Sequence, residues 1–288
     1  MISSQVAARG RVLRLGALLP LAWAVVLLFV PYAFLLVQSF WRVAGGALTP
    51  DFTLDNYRRL IGTSLYPRTI LYSAETALWV TGFALLLAYP LAYLLAFKAR
   101  RHRELLYFAV IIPLWVSYVV RAYAWKIILG QHGILNGLLL SLGVIHEPLS
   151  VLLYSRWAVV VALTHIYTPF ALMPIFAVLE SIPPSLREAS QDLYAGRWRT
   201  FLHVTLPLSL PGVLAGATFA FVLSMGDFLA PQLLGGNDSA LMVSNLVWSL
   251  FGVAYNWPLG AAVAVVMLGL TLALLALTGA IERRGQTR

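Results

Sequence analysis

Four ionisable side chains fall inside long apolar stretches: Glu75, Arg121, Lys126 and Asp227. A charge at the centre of a bilayer-spanning helix costs about 2.5–3.5 kcal/mol on insertion scales, so each one needs a reason. At ~1.5 Å per residue, Arg121 lies ~24 Å along a segment starting at 105, and Asp227 ~28 Å along one starting at 208. All four therefore approach the same face. There they either pair, as Glu75 with Arg121, or snorkel to the interface, or line a cavity open to that face. Asp227 stands in SMGDFLAPQ, where Gly226 and Pro231 interrupt a helix, and broken helices accompany transport sites.

Other chemistries lack their residues. The chain has no cysteine, which excludes disulfides and thiolate metal sites. Its five histidines are scattered without metal-ligand spacing such as HExxH. Phosphate cradling by a P-loop needs GxxxxGK[ST], and neither of the two lysines, Lys98 and Lys126, follows such a motif. GxSxG is also absent. The chain is not expected to hydrolyse ATP or to hold a cofactor or metal of its own.

The elements that carry these residues are membrane helices. Of 288 residues 60% are hydrophobic and 11% charged, with mean hydropathy +0.83, far from a soluble domain. Six spans are expected, at 15–40, 70–97, 105–129, 153–179, 208–229 and 258–281, each long enough for ~30 Å of hydrocarbon. The first has too long an apolar part for a signal peptide and reads as an uncleaved anchor. With the N-terminus inside, thirteen of the twenty basic residues fall in inner segments, as the positive-inside rule requires. That placement, rather than nucleic acid, accounts for the net charge of +9. The division is a cytoplasmic N-terminus (1–14), the first span (15–40), an outer loop (41–69), a five-helix core (70–281) and a cytoplasmic tail (282–288).

The outer loop holds a short helix near 50–62, with Thr53 as its cap and Leu54, Tyr57 and Ile61 on one face. Residues 130–150, glycine-rich and without Lys or Arg, read as an interfacial or re-entrant helix, and 230–258 similarly. Trp41, Trp125, Trp157 and Trp257 lie near outer boundaries, as an aromatic belt would.

The inner segment PPSLREASQDLYAGRWRTFLHVTLPLSLPG (183–212) is longer than a linker needs to be. Pro183-Pro184 ends a span, Ser185 and Glu188 have capping-box spacing, and a helix over 186–195 follows. It carries Leu186, Ala189 and Leu193 on one face, with Arg187, Gln191 and Asp192 around it. Gly196 is placed to end it in a left-handed cap. A short helix held between spans in the cytoplasm reads as a docking element, the competing reading being an amphipathic helix on the bilayer.

This segment resembles the EAA loop of ABC importer permeases, roughly EAA-x3-G-x9-I-x-LP. Glu188, Ala189, Leu206 and Pro207 match, with Val204 at the Ile position. Ser190 replaces the second Ala, and Tyr194 stands at the usual Gly position with Gly196 two places later. FTLDNYRRLIG, YPLAYLLAFKARR, VRAYAW and GDFLAPQLLGG extend the resemblance, to the spermidine/putrescine-type subfamily. It implies an all-α, six-helix, type I permease fold like that of the methionine permease, in a bacterial inner membrane with both termini cytoplasmic. It further implies a second permease chain, two ATPase subunits carrying ATP and Mg, and an extracytoplasmic solute-binding protein. ATPase coupling would fall to Leu186, Glu188, Ala189, Asp192, Leu193 and Gly196, and the solute path to Asp227, Glu75, Arg121 and Trp125. A polyamine would find compensating carboxylates and aromatic faces there, although Arg121 and Lys126 oppose it. Another small solute, an ion-coupled transporter and an integral-membrane enzyme are the competing readings. The last has no nucleophile–base or metal constellation.

Overall fold

An apolar segment in lipid must satisfy its backbone internally, which leaves helices or closed barrels. The computed structural model, which describes residues 2–99, 101–192, 196–236 and 241–286, takes the helical solution. Helix α1 (Ile2–Gln38) leads into a small hairpin, β1 (Arg42–Ala44) and β2 (Ala47–Thr49). Gly45 and Gly46 turn it with φ of +60° and +81°, the conformation of the tight turn that matches strand twist. Helix α2 (Asp55–Gly62) and helix α3 (Leu65–Phe97) follow. Then come α4 (Arg103–Ile111), a 3-10 turn (Ile112–Trp115), α5 (Tyr118–Leu129) and α6 (Ile134–Ser141). Helix α7 (Arg156–Ser181) precedes α8 (Pro184–Asp192) and α9 (Arg197–Thr200). A π-helical turn (Phe201–Thr205) joins α9 to α10 (Leu206–Gly226). The chain closes with α11 (Leu229–Leu234), α12 (Val243–Gly252) and α13 (Trp257–Gln286).

Among the described residues, five helical stretches are long and apolar enough to cross a membrane: Pro20–Gln38, Leu65–Phe97, Arg156–Ser181, Arg197–Gly226 and Trp257–Ile281. The span expected at 105–129 is instead bent by 93° between Arg103–Trp115 and Tyr118–Ser141. The bend has a local cause. Pro113 lies at the start of the 3-10 turn, and Val116 and Ser117 are extended, with ψ of 135° at both. Counting the bent pair as one span gives six.

Helix α7 is the centre, with α3 and α10 packed on it. Lipid tails are as apolar as leucine, so close packing of small residues, rather than hydrophobic driving force, holds such helices together. Helix α3 presents Ala84, Ala88 and Ala92, all fully buried. Helix α10 presents Gly212 and Gly216, a GxxxG pair. A Cβ on Gly212 would stand 2.8 Å from the Pro174 carbonyl oxygen, and one on Gly216 2.7 Å from that of Ala171. Helix α1 lies at the periphery, with none of Pro20–Val37 buried in the chain.

Helix α2 uses a face shifted from the one expected: Tyr57 packs inward as expected, its hydroxyl 2.6 Å from that of Ser39, but Leu54 and Ile61 do not. Asn56 and Leu60 are buried, while Ile61 is 82% exposed. The Asn56 amide decides this by donating to the carbonyls of Ser39 (2.8 Å) and Trp41 (2.7 Å), which docks α2 on the end of α1. Thr53 accepts from the Asp55 N–H at 3.1 Å, but Leu54 is the cap residue.

Candidate functional site

Two places gather the residues of interest, one at each end of the bundle. At one end α8 begins at Pro184, two positions earlier than the capping-box spacing suggests. Ser185 is already helical, so the Ser185–Glu188 box does not form. A proline at the first helical position replaces it at no cost, since that N–H has no intrahelical partner anyway. Gly196 is not a left-handed cap either. With φ −61° and ψ 159° it is the N-cap of α9, and its carbonyl accepts from the Thr200 N–H at 3.0 Å.

Helix α8 has an outward and an inward side. Leu186 is 45% exposed, and Glu188, Ala189 and Asp192 are exposed as well. Neither carboxylate forms an ion pair among the described residues. Leu193 and Tyr194 lie outside the described residues. Inward, the Arg187 guanidinium stacks over the Phe97 ring at 4.0 Å, tying α8 to the end of α3. The Ser190 hydroxyl meets that of Thr200 at 3.0 Å, tying α8 to α9. Sequence reasoning flagged Ser190 only as a departure from a pattern. Its signal was a short polar side chain three positions after Arg187, on the same helical face.

The return into the bundle is one path from Arg197 to Gly226, beginning well before the span expected at 208–229. Pro207 has no N–H to donate and crowds the carbonyl four residues back, so the ladder before it loosens. The Leu206 N–H reaches five residues back, to Phe201, closing the π turn. Phe201 there packs edge-on against Tyr89 and Tyr93 of α3 and stacks with Trp198.

The second site, at the other end of the bundle, centres on the break between α10 and α11. Helix α10 stops at Gly226, and Asp227 is extended, with φ −74° and ψ 125°. Asp227 is only 7% exposed. One carboxylate oxygen accepts from the N–H groups of Leu229 (3.0 Å) and Ala230 (3.1 Å), capping α11. The other accepts from the hydroxyls of Tyr167 (2.6 Å) and Tyr118. Its backbone carbonyl accepts from Ser244 at 2.5 Å, and Asn245 donates to the next carbonyl, that of Phe228, at 2.7 Å. A single residue thus joins α5, α7, α10, α11 and α12. Tyr118, Tyr167, Ser244 and Asn245 were not singled out from sequence. Their signal was a hydroxyl or amide in an apolar segment, which must find a partner.

Glu75 pairs with Arg156 at 3.0 Å, not with Arg121. Arg156 is the nearer cation because its Nε also donates to Thr76 (3.1 Å) on the same turn of α3, and its guanidinium lies over Tyr72 at 4.6 Å. Arg121 lies 5.9 Å from the Tyr118 ring, and its buried Nε and one terminal nitrogen have no hydrogen-bond partner. Trp125 donates its indole N–H to His165 of α7 at 3.3 Å. Both line an apolar groove of about 640 Å³ between α3, α4, α5 and α7. Lys126 lies over the Tyr154 ring at 5.9 Å. Among the described residues no group of side chains is fit to hold a metal ion.

Over residues 88–286 the chain matches the family described as binding-protein-dependent transport system inner membrane component. It is 36% identical over 254 residues to the spermidine/putrescine transport system permease protein PotB of Escherichia coli, covering 87% of this chain and 91% of that one. Its fold is similar to that of a bacterial ABC transporter involved in the import of the acidic polysaccharide alginate. The TM-score is 0.72 at 20% identity, over 99% of both chains. It is also similar to the MetNI methionine ABC transporter in an inward-facing conformation, with TM-score 0.58 at 19% identity, over 76% of this chain and 94% of that one. Family match, identity and fold agree: the chain belongs to the binding-protein-dependent transport system inner membrane components and is an ABC importer permease of type I fold.

Proposed function

We propose that this permease carries a polyamine across the inner membrane and feels ATP hydrolysis through α8. The observation that carries the coupling half is the two-sided build of that helix. Leu186, Glu188, Ala189 and Asp192 are exposed, and neither carboxylate has an ion-pair partner among the described residues, while Arg187 and Ser190 fasten the helix to α3 and α9. A partner ATPase, one of two with ATP and Mg, engages the outward face. Its closure then moves α8 as a rigid piece, and the movement passes to the bundle through Phe97 and the π turn. Gly196 flanks the same contact, and Leu193 belongs to it by the sequence pattern alone. A second permease chain, a homologue, completes the path, and a solute-binding protein delivers solute from outside. Both termini lie in the cytoplasm. The two arrangements of the bundle alternate as nucleotide and solute bias one or the other.

The polyamine half is supported by the 36% identity to PotB. Trp125 offers an aromatic face to an ammonium group, and Glu75 and Asp227 supply negative charge at the outer end. Arg121 favours a second reading, an amine that also bears an acidic group, because its buried Nε and one terminal nitrogen have no hydrogen-bond partner among the described residues.

Uptake of radiolabelled spermidine and putrescine by cells expressing the whole transporter tests the proposal. Glu188→Lys should abolish uptake and co-purification of the ATPase. Polyamine uptake that persists without the ATPase would contradict the coupling half. A system binding protein that binds no polyamine would overturn the substrate half and leave the coupling half standing.

A further inference from the structure

A second cavity, of about 850 Å³, opens at the inner end between α3, α8 and α9. Three cations line it: Lys98 at the end of α3, Arg187 of α8 and Arg197 of α9. None forms an ion pair among the described residues. The wall also carries unmet hydrogen-bonding capacity, since the buried Arg187 Nε and Thr205 Oγ1 have no partner. Three positive charges, with no carboxylate among the described lining residues, make a wall that suits an anion from outside the chain.

The rest of the lining says which anion. Tyr89, Pro90, Leu94 and Phe201 continue the cavity along α3 toward the hydrocarbon, and Trp198, 69% exposed, stands at its rim. Aromatic side chains of this kind settle at headgroup depth. Basic pockets between helices on the cytoplasmic side suit anionic headgroups. The geometry points to a binding site for a phosphate ester anion, supplied by an anionic phospholipid of the inner leaflet. The phosphate lies among Lys98, Arg187 and Arg197, and the first carbons of the tails lie along Leu94 and Phe201. Arg187 fastens α8 and Phe201 belongs to the π turn, so the lipid braces the junction between the loop and the bundle. This assignment rests on the inner placement of that end of the chain.

The test is lipid retention by the purified whole transporter, measured by native mass spectrometry with phosphatidylglycerol or phosphatidylethanolamine added. The complex should retain phosphatidylglycerol preferentially. Lys98→Gln and Arg197→Gln should each weaken retention about fivefold, the usual weight of one basic residue at an anionic surface. Arg199→Gln, on the same short helix but outside the cavity, should retain as much as the parent. Retention unchanged in both Lys98→Gln and Arg197→Gln overturns the site. Inorganic phosphate alone serves as the second probe, read by the thermal shift of the complex. Stabilisation by phosphate that needs Lys98 and Arg197, without preferential lipid retention, overturns the lipid as source. The retention assay reads the cavity whether or not polyamine is the solute, so its failure is distinct from failure of the transport reading.

Discussion

The Asp227 carboxylate accepts four hydrogen bonds from three different elements, which explains how it persists almost fully buried near one end of the bundle. Two backbone N–H groups and two phenol hydroxyls share its charge, and charge-assisted bonds of this kind outweigh neutral ones. Removing the acceptor strands the donors. Asp227→Ala should therefore lower stability by roughly 1–3 kcal/mol for each donor left unsatisfied. Asp227→Asn keeps an oxygen for α11 but puts a donor before the two phenols, which must turn to accept from it, so the loss should be smaller than for Ala and not zero. Thermal unfolding of the purified transporter checks the order of the two. Uptake checks something else. If Asp227→Asn is stable yet transports poorly, the charge serves the solute, and normal uptake would confine Asp227 to holding the break together. The residue was legible in the sequence as a lone carboxylate in an apolar stretch. Its partners were not, because Tyr167 and Tyr118 lie 60 and 109 residues away and nothing local marks them.

Helices here are joined where backbones come close. Gly216 packs under the Ala171 carbonyl, and any side chain there meets backbone rather than a movable group. Gly216→Ala should thus cost about 1–3 kcal/mol by overpacking, seen as a lower unfolding temperature. Gly269 of α13 has nothing within 4 Å of an added Cβ, so Gly269→Ala should be neutral or gain up to ~1 kcal/mol of helix propensity. Equal effects at the two sites would refute the account of the α7–α10 contact. Long apolar helices were readable from composition alone. The bend at Val116–Ser117 was not, because residues 105–120 carry no charge to mark a break and Pro113 is compatible with a kinked span. The start of α8 shows a milder version of the same limit. Pro184 and Ser185 both carry helix-start chemistry, and the tertiary contact of Arg187 with Phe97 accompanies the earlier start.

At the scale of the molecule, charge asymmetry gives an expectation for the orientation, and the resemblance of one loop made the family legible. The family match and the fold bear the second out. The orientation has a direct test, since the chain has no cysteine and any introduced thiol is unique. Ser185→Cys should be labelled by a membrane-impermeant maleimide only from the cytoplasmic side, and Gly46→Cys only from the other. What the sequence did not show was the fastening of the loop to its own bundle. The Arg187–Phe97 and Ser190–Thr200 contacts each join residues from separate elements. If those contacts transmit the motion, Ser190→Ala with Thr200→Val should leave ATPase binding intact while lowering uptake severalfold. The claim on which the rest depends is that a partner ATPase seats on the outward face of α8. Ala189→Cys, the only thiol in this chain, can be tested for cross-linking within the assembled transporter using a short thiol-to-amine reagent. The account predicts a product with the ATPase subunit whose yield changes on adding ATP and solute-loaded binding protein. A thiol at 189 that joins no ATPase under any of these conditions, in a complex active for uptake, would contradict it.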